Sequence, residues 1–251
     1  MHSTMKLGRI PTPVHRLATV PSIADYLDFG ANLPLIADSV AYEKRMTQSW
    51  GMLGNDKYGD CVFASRAHFA QCASVNVTGK ARTFTTAQVL KWYSDCTGFN
   101  PNDPTTDNGA NPLDALKYFV SIGEIVAFGK VDPTNDAHVA ATIELFGGLY
   151  SGWDLPLAWQ STTNWDAGPS ITGKWQPGSW GGHMVSQTGF DAQCNTPTVT
   201  WGSLINVTAA ARHVYCSEAY AIVTKEWFDA GGKTIQGLDL EGLKAELANV
   251  I

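Results

Sequence analysis

No apolar stretch in the 251 residues approaches the ~18 consecutive residues of a membrane span. There is no run of Lys or Arg, and the formal net charge is −6, so a protein that tracks nucleic-acid phosphates is excluded. Charged residues make up only 16% of the chain, against about 25% in an average globular domain. No CxxC pair occurs. The five cysteines, at 61, 72, 96, 194 and 216, are odd in number and irregularly spaced, which argues against a zinc site and against a disulfide scaffold. No metal and no cofactor is expected, and the thiols are expected to be reduced. The opening MHSTMKLGRIPTPVHRL lacks the apolar core of an export signal, so a cytoplasmic location is expected. Without such a signal the sequons at Asn76 and Asn206 read as chance.

What is present is apolar and ordered. Hydrophobic residues make up 44% of the chain, enough to offset ordering entropy. Residues 1–45 read as an extension that crosses the surface without regular structure for most of its length. Pro11, Pro13, Pro21 and Pro34 punctuate it, and each holds its predecessor extended. The run GNDKYGD is loop chemistry. From Cys61 no Gly or Pro follows until Gly79, and Ala64, Ala67, His68, Gln71 and Cys72 share one helical face. Asp60 is then the candidate N-cap. Further helices are expected over about 86–96, over NPLDALKYFVSIG and over 137–147. LYSGWDLPLAW, HMVSQTGFDA, TPTVTWGSLINV and EAYAIVTKEWF each read as a strand, HMVSQTGFDA as a half-buried one. The tail, with Leu240, Leu243, Leu247 and Val250, reads as an amphipathic helix behind Asp239. Helices first and strands second imply α+β, with a core at 46–230 and a helical tail at 231–251.

Cys61 is the sharpest chemical feature. A cysteine at a helix N-terminus behind a Gly-rich turn meets free backbone N–H groups and the positive end of the helix dipole, both favouring thiolate. Fast alkylation of Cys61 at neutral pH is the expectation. The other four cysteines read as small buried hydrophobes. A thiolate nucleophile needs a base. Of six histidines, His183 opens a strand directly after Gly181-Gly182, and two glycines permit close approach of another chain. Trp153, Trp159, Trp165, Trp175 and Trp180 crowd into 28 residues, and they suit an aromatic cleft or ordinary core packing equally.

In this order the motifs resemble those of the papain superfamily of cysteine peptidases. Asn55 stands six before Cys61, where that family places a Gln whose amide completes the oxyanion hole. Gly59-Asp60-Cys61 is similar to its Gly-Ser-Cys, Gly182-His183-Met184-Val185 to its Gly-His-Ala-Val, Gly189-Phe190 to its Gly-Tyr, and Trp201-Gly202 to its Trp-Gly. The stretch from Asp107 looks like its Asp-x-Gly loop and following helix. The likeness spans about 46–225. It implies a papain-like α+β fold, with the helix that starts at the Cys packed on an antiparallel sheet or barrel. It also implies a cysteine peptidase or amidase acting on a peptide or amide substrate. Cys61 would attack the carbonyl, His183 would serve as base and then acid, and Asn55 with the Cys61 backbone N–H would bind the oxyanion. Acyl transfer would use the same groups. Val199 stands where the family has the Asn that orients the imidazole, and valine accepts nothing. Thr200 or Asp191 would have to substitute. The chain also resembles uncharacterised phage and prophage proteins with Gly-Asn-Asp-x-x-Gly-Asp-Cys and Gly-Gly-His segments. The alternative is therefore a non-catalytic papain-like module with a protein partner, as a phage particle component located in the virion.

Overall fold

From Cys61 to Thr78 the chain runs 18 residues with neither glycine nor proline, and this stretch is one helix in the computed structural model, which describes residues 5–29 and 34–239. Before it come two short helices and a strand: α1 (Val14–Leu17), α2 (Ala24–Phe29) and β1 (Val40–Ala41). The long helix is α3 (Cys61–Thr78). Gly79 ends it at φ 75°, a left-handed geometry that glycine adopts without steric cost, and its N–H donates to the Val75 carbonyl. Residues 61 to 76 of α3 are all buried, including Ser65, Arg66, His68 and Gln71. The expected one-sided stripe is thus absent, because the helix is enclosed on every side and stripes belong to surface helices.

Two helices flank α3. In α4 (Thr86–Thr97) Thr85 and Gln88 form a reciprocal capping box. In α5 (Pro112–Ser121) the Asn111 side chain accepts from the N–H groups of Leu113 and Asp114. Phe63 of α3 joins all three helices: its ring centroid lies 5.5 Å from that of Tyr93 and 5.7 Å from that of Phe119.

The second half builds the sheet. Its elements are β2 (Ala127–Val131), α6 (Asp136–Phe146), β3 (Leu149–Leu155), β4 (Gly181–Gln187), β5 (Gly189–Phe190), β6 (Thr196–Thr200), β7 (Ser203–Val207), α7 (Ala209–Tyr215) and β8 (Cys216–Val223). Six strands pair in the order β2-β8-β3-β4-β6-β7, antiparallel throughout. A separate pair joins β1 to β5, Val40 opposite Phe190. The α+β class is as expected, and α3 lies on the sheet at β4.

Three readings of the strands change. HMVSQTGFDA is fully buried from His183 to Gln187, because β4 is a central strand with α3 across it, not a half-exposed one. TPTVTWGSLINV is two strands, because Trp201 at φ 45° and Gly202 at φ 67° turn the chain back in a two-residue hairpin loop. β2 and α7 are further elements that the sequence pattern does not mark. Trp153, Trp159 and Trp165 pack as core, with Trp159 and Trp165 stacked at 4.9 Å, while Trp175 and Trp180 are half-buried. Asn76 is buried with its amide donating to Tyr42 and Cys72 carbonyls, which closes that sequon to modification. All five cysteines are free thiols. The expected tail helix at 240–251 lies outside the described residues.

Candidate active site

The first turn of α3 brings Cys61 against β4. The backbones of Met184, next to His183, and of Gly8 in the N-terminal segment lie beside the thiol. Asp60 fills the N-cap position, but its side chain makes no cap hydrogen bond. It is instead wholly buried, and neither carboxyl oxygen has a partner of good geometry. Burial pushes the Asp60 carboxyl well above the usual range; the nearby Asn55 amide pulls it down, and Asp107 and Asp56 push it up.

His183 stands on β4 opposite Trp153. Its Nε2 lies 2.9 Å from Thr200 Oγ1 on β6, at hydrogen-bond distance. Its ring stacks on Trp201, centroids 4.2 Å apart and planes 16° from parallel, with the edge of Trp165 at 6.5 Å. Val199 points elsewhere, packing with Trp50 and Cys72 in a separate cluster. Alternation along β6 explains both facts: neighbouring residues face opposite sides, so Thr200 and not Val199 reaches the imidazole. Asp191 is excluded as the acceptor, since its carboxylate is engaged by Gln193 and Asn195 of its own loop.

Asn55 is buried in the turn before α3. Its amide donates to the Tyr58 carbonyl at 3.1 Å and to the Lys6 carbonyl at 3.4 Å. The same Lys6 carbonyl accepts from the Trp201 indole at 3.1 Å. Trp201 is one of three non-glycine residues at positive φ among the described residues, a costly geometry for a bulky side chain. The stack on His183 and the bond to Lys6 accompany that strain. No sequence signal marked Trp201 as a donor.

Most described residues of the N-terminal segment are exposed or half-buried, but the stretch around Gly8 and Arg9 leaves the surface. It threads the site. Gly8 and Arg9 donate to the Gly182 carbonyl, Ala110 donates to Gly8, and Ile10 donates back to Ala110, in a parallel bridge. Glycines make the passage fit. A Cβ on Gly8 would lie 1.9 Å from the Gly59 oxygen, and one on Gly182 would lie 2.2 Å from the Arg9 oxygen. The close approach anticipated for Gly181-Gly182 is made by the protein's own chain. Asp107, from the loop before α5, accepts from Gly59 N and Tyr93 OH and so braces the slot.

This closure reverses the expected state of Cys61. The residue is 1% exposed, and burial pushes its thiol up to about 12, outweighing the pull of the neighbouring Met184 and Gly8 backbones and the helix dipole. In the closed form Cys61 is a neutral, shielded thiol.

The overall fold, a long helix from Cys61 packed on an antiparallel sheet, is similar to that of solved structures. The ragweed cysteine protease Amb a 11 in its proform matches with a TM-score of 0.57 at 15% identity, over 84% of this chain and 74% of that one. Xylellain, a cysteine protease from Xylella fastidiosa, matches at 0.55 and 13%, over 89% of this chain and 98% of that one. ProCathepsin B S9 from Trypanosoma congolense matches at 0.58 and 10%, over 88% and 87%. The fold is papain-like. At such identities the likeness carries the fold alone. No protein-family model matches the chain, and no curated protein does. These counterparts lend no support to the phage resemblance. Among the described residues no cluster of His, Cys, Asp and Glu is placed to hold a metal, and no helix is long and apolar enough to cross a membrane.

Proposed function

We propose that the protein is a latent cysteine peptidase or amidase whose site is closed by its own N-terminal segment. Cys61 is the nucleophile. His183 takes the thiol proton and returns it to the leaving amine, and Thr200 Oγ1 replaces the missing Asn as the group that orients the ring. Asn55 and the Trp201 indole donate to the developing oxyanion. One observation carries this reading: the Cys61 thiol, the strand holding His183 and both donors converge on the backbone of Lys6 to Arg9. An extended peptide already lies there, with a carbonyl on the two donors and an amide beside the thiol. A hydrolase site must hold a substrate backbone in this way.

The closed geometry favours a second reading, a non-catalytic module in which the segment never leaves. One variant separates the two. Gly8→Ala drives a methyl into the Gly59 carbonyl and should expel the segment without altering a site residue. The opened protein should hydrolyse a fluorogenic peptide amide, and Cys61→Ala in the same background should abolish the signal. A folded, opened protein with reactive Cys61 and no turnover would leave the non-catalytic module standing.

A further inference from the structure

Next to the nucleophile, a side chain of the closing segment enters a pocket that suits it closely. Arg9 follows the residue that covers the Cys61 thiol, and its side chain is 1% exposed. Its Nε donates to Glu218 Oε1 at 2.7 Å, Nη1 to Asp154 Oδ1 at 2.9 Å, and Nη2 to Ser217 Oγ at 2.6 Å. All three nitrogens are thus matched, each by a different partner. The pocket is itself braced. The other oxygen of Glu218 accepts from Tyr220 OH at 2.7 Å, and Oε1 also receives the Thr12 N–H at 3.3 Å. The floor is Gly152, on β3 opposite Glu218 on β8; a Cβ there would come within 2.4 Å of Arg9 Nε. Only a residue without a side chain admits a guanidinium at this depth.

Charge decides what such a pocket accepts. With Arg9 in place, two carboxylates face one cation. With Arg9 withdrawn, the wall keeps Asp154 and Glu218 with no cation between them. A planar fork satisfies these acceptors in a way that a point-charge ammonium cannot. The pocket opens directly beside the Gly182 carbonyl that holds the peptide backbone. We infer that the Asp154–Ser217–Glu218 pocket is a substrate subsite selective for an arginine side chain, and that Arg9 occupies it in the closed form. Resting on the proposed hydrolase, this names its substrate class: peptides with arginine at the position next to the residue over Cys61.

The test uses the full chain with Arg9→Ala, which empties the pocket. Binding of acetyl-Gly-Arg-Gly-amide is compared with that of the citrulline peptide, which keeps shape and loses charge. The arginine peptide should bind at least tenfold more tightly, and adding Glu218→Gln should cut that ratio below threefold. Absence of binding, or equal binding of the two peptides, overturns the assignment. Binding needs no chemistry, so it is read apart from catalysis. Selective binding without hydrolysis would sink the hydrolase and keep the pocket, whereas hydrolysis indifferent to arginine would do the reverse. Should Arg9→Ala fail to fold by circular dichroism, Arg9→Lys keeps a cation in place. In that protein the arginine peptide should accelerate Cys61 alkylation at least threefold more than the citrulline peptide, and equal rates would refute the subsite.

Discussion

At the scale of single residues, the chemistry turns on how burial competes with local fields. A helix N-terminus favours thiolate by a fraction of a pKa unit to a few units, yet full desolvation drives Cys61 the other way, to about 12. The thiols should therefore react in an order set by exposure. Cys96 is the one cysteine that is half-exposed, on the open side of α4. Mass spectrometry of the native chain treated with iodoacetamide at pH 8 should show Cys96 labelled first and Cys61 among the slowest. Early labelling of Cys61 would mean the N-terminal segment leaves the site spontaneously. Thr200 offers a second check on the same site. Thr200→Val preserves shape and removes the acceptor 2.9 Å from His183 Nε2. In the opened Gly8→Ala background the Cys61 alkylation rate should fall about tenfold or more, and its pH profile should move as the imidazolium loses support. Global stability should change by only about 1 kcal/mol, the net worth of one buried hydrogen bond. An unchanged pH profile would remove Thr200 from the orienting role.

The elements act through close backbone approach. The N-terminal segment is held where Gly8, Gly59, Gly109 and Gly182 bring chains together without side chains. A Cβ on Gly109 would lie 2.1 Å from the Gly8 oxygen. Contacts at these distances involve backbone on both sides, so nothing flexible can give way. Gly8→Ala should thus raise the Cys61 alkylation rate at least tenfold while far-UV circular dichroism stays native, because α3 and the sheet keep their own packing. A rate equal to the native chain's would show that the slot tolerates the methyl and that closure does not depend on Gly8. The same glycine logic places the hairpin at Trp201-Gly202, which turns β6 back as β7 and sets the Trp201 ring over His183.

For the whole molecule, two buried titratable groups on α3 and at its start make stability depend on pH with opposite signs. His68 is buried with its Nε2 2.9 Å from the Gly51 carbonyl, and burial lowers it from 6.5 to about 4. The unfolded chain then binds more protons than the native one between those values. The contribution is full above 6.5 and is lost as pH falls toward 4, on the order of 3 kcal/mol. Denaturant midpoints should fall over that window, and His68→Gln should flatten the fall; a fall of equal size in the variant would assign it elsewhere. Asp60 works the other way. Its carboxyl is raised by burial, so its contribution is present below the unfolded value of 3.8 and is lost as pH rises through the folded one. Relative to the native chain, Asp60→Asn should gain stability as pH rises from 4 to 8, and a difference that stays constant would show that the carboxyl does not titrate there.

Much of this architecture is legible in local pattern. The absence of Gly and Pro from Cys61 to Thr78 and the apolar spacing over 86–96 and 111–123 place α3, α4 and α5 within a residue or two. These signals act between residues three or four apart, so composition and spacing suffice to express them. The order of Asn55, Cys61, His183 and Trp201-Gly202 resembles that of the papain superfamily, and that resemblance implies the papain-like fold the structure has. The tertiary structure alone decided the rest. Thr200 faces His183, and Val199 does not, because a hairpin loop sets the register of β6. Cys61 is neutral because a segment some fifty residues earlier covers it. Arg9 finds Asp154, Ser217 and Glu218 more than 140 residues away. Each of these depends on long-range pairing and on burial. Neither is encoded in the near neighbours of a residue, and the two together set which groups touch and what charge they carry.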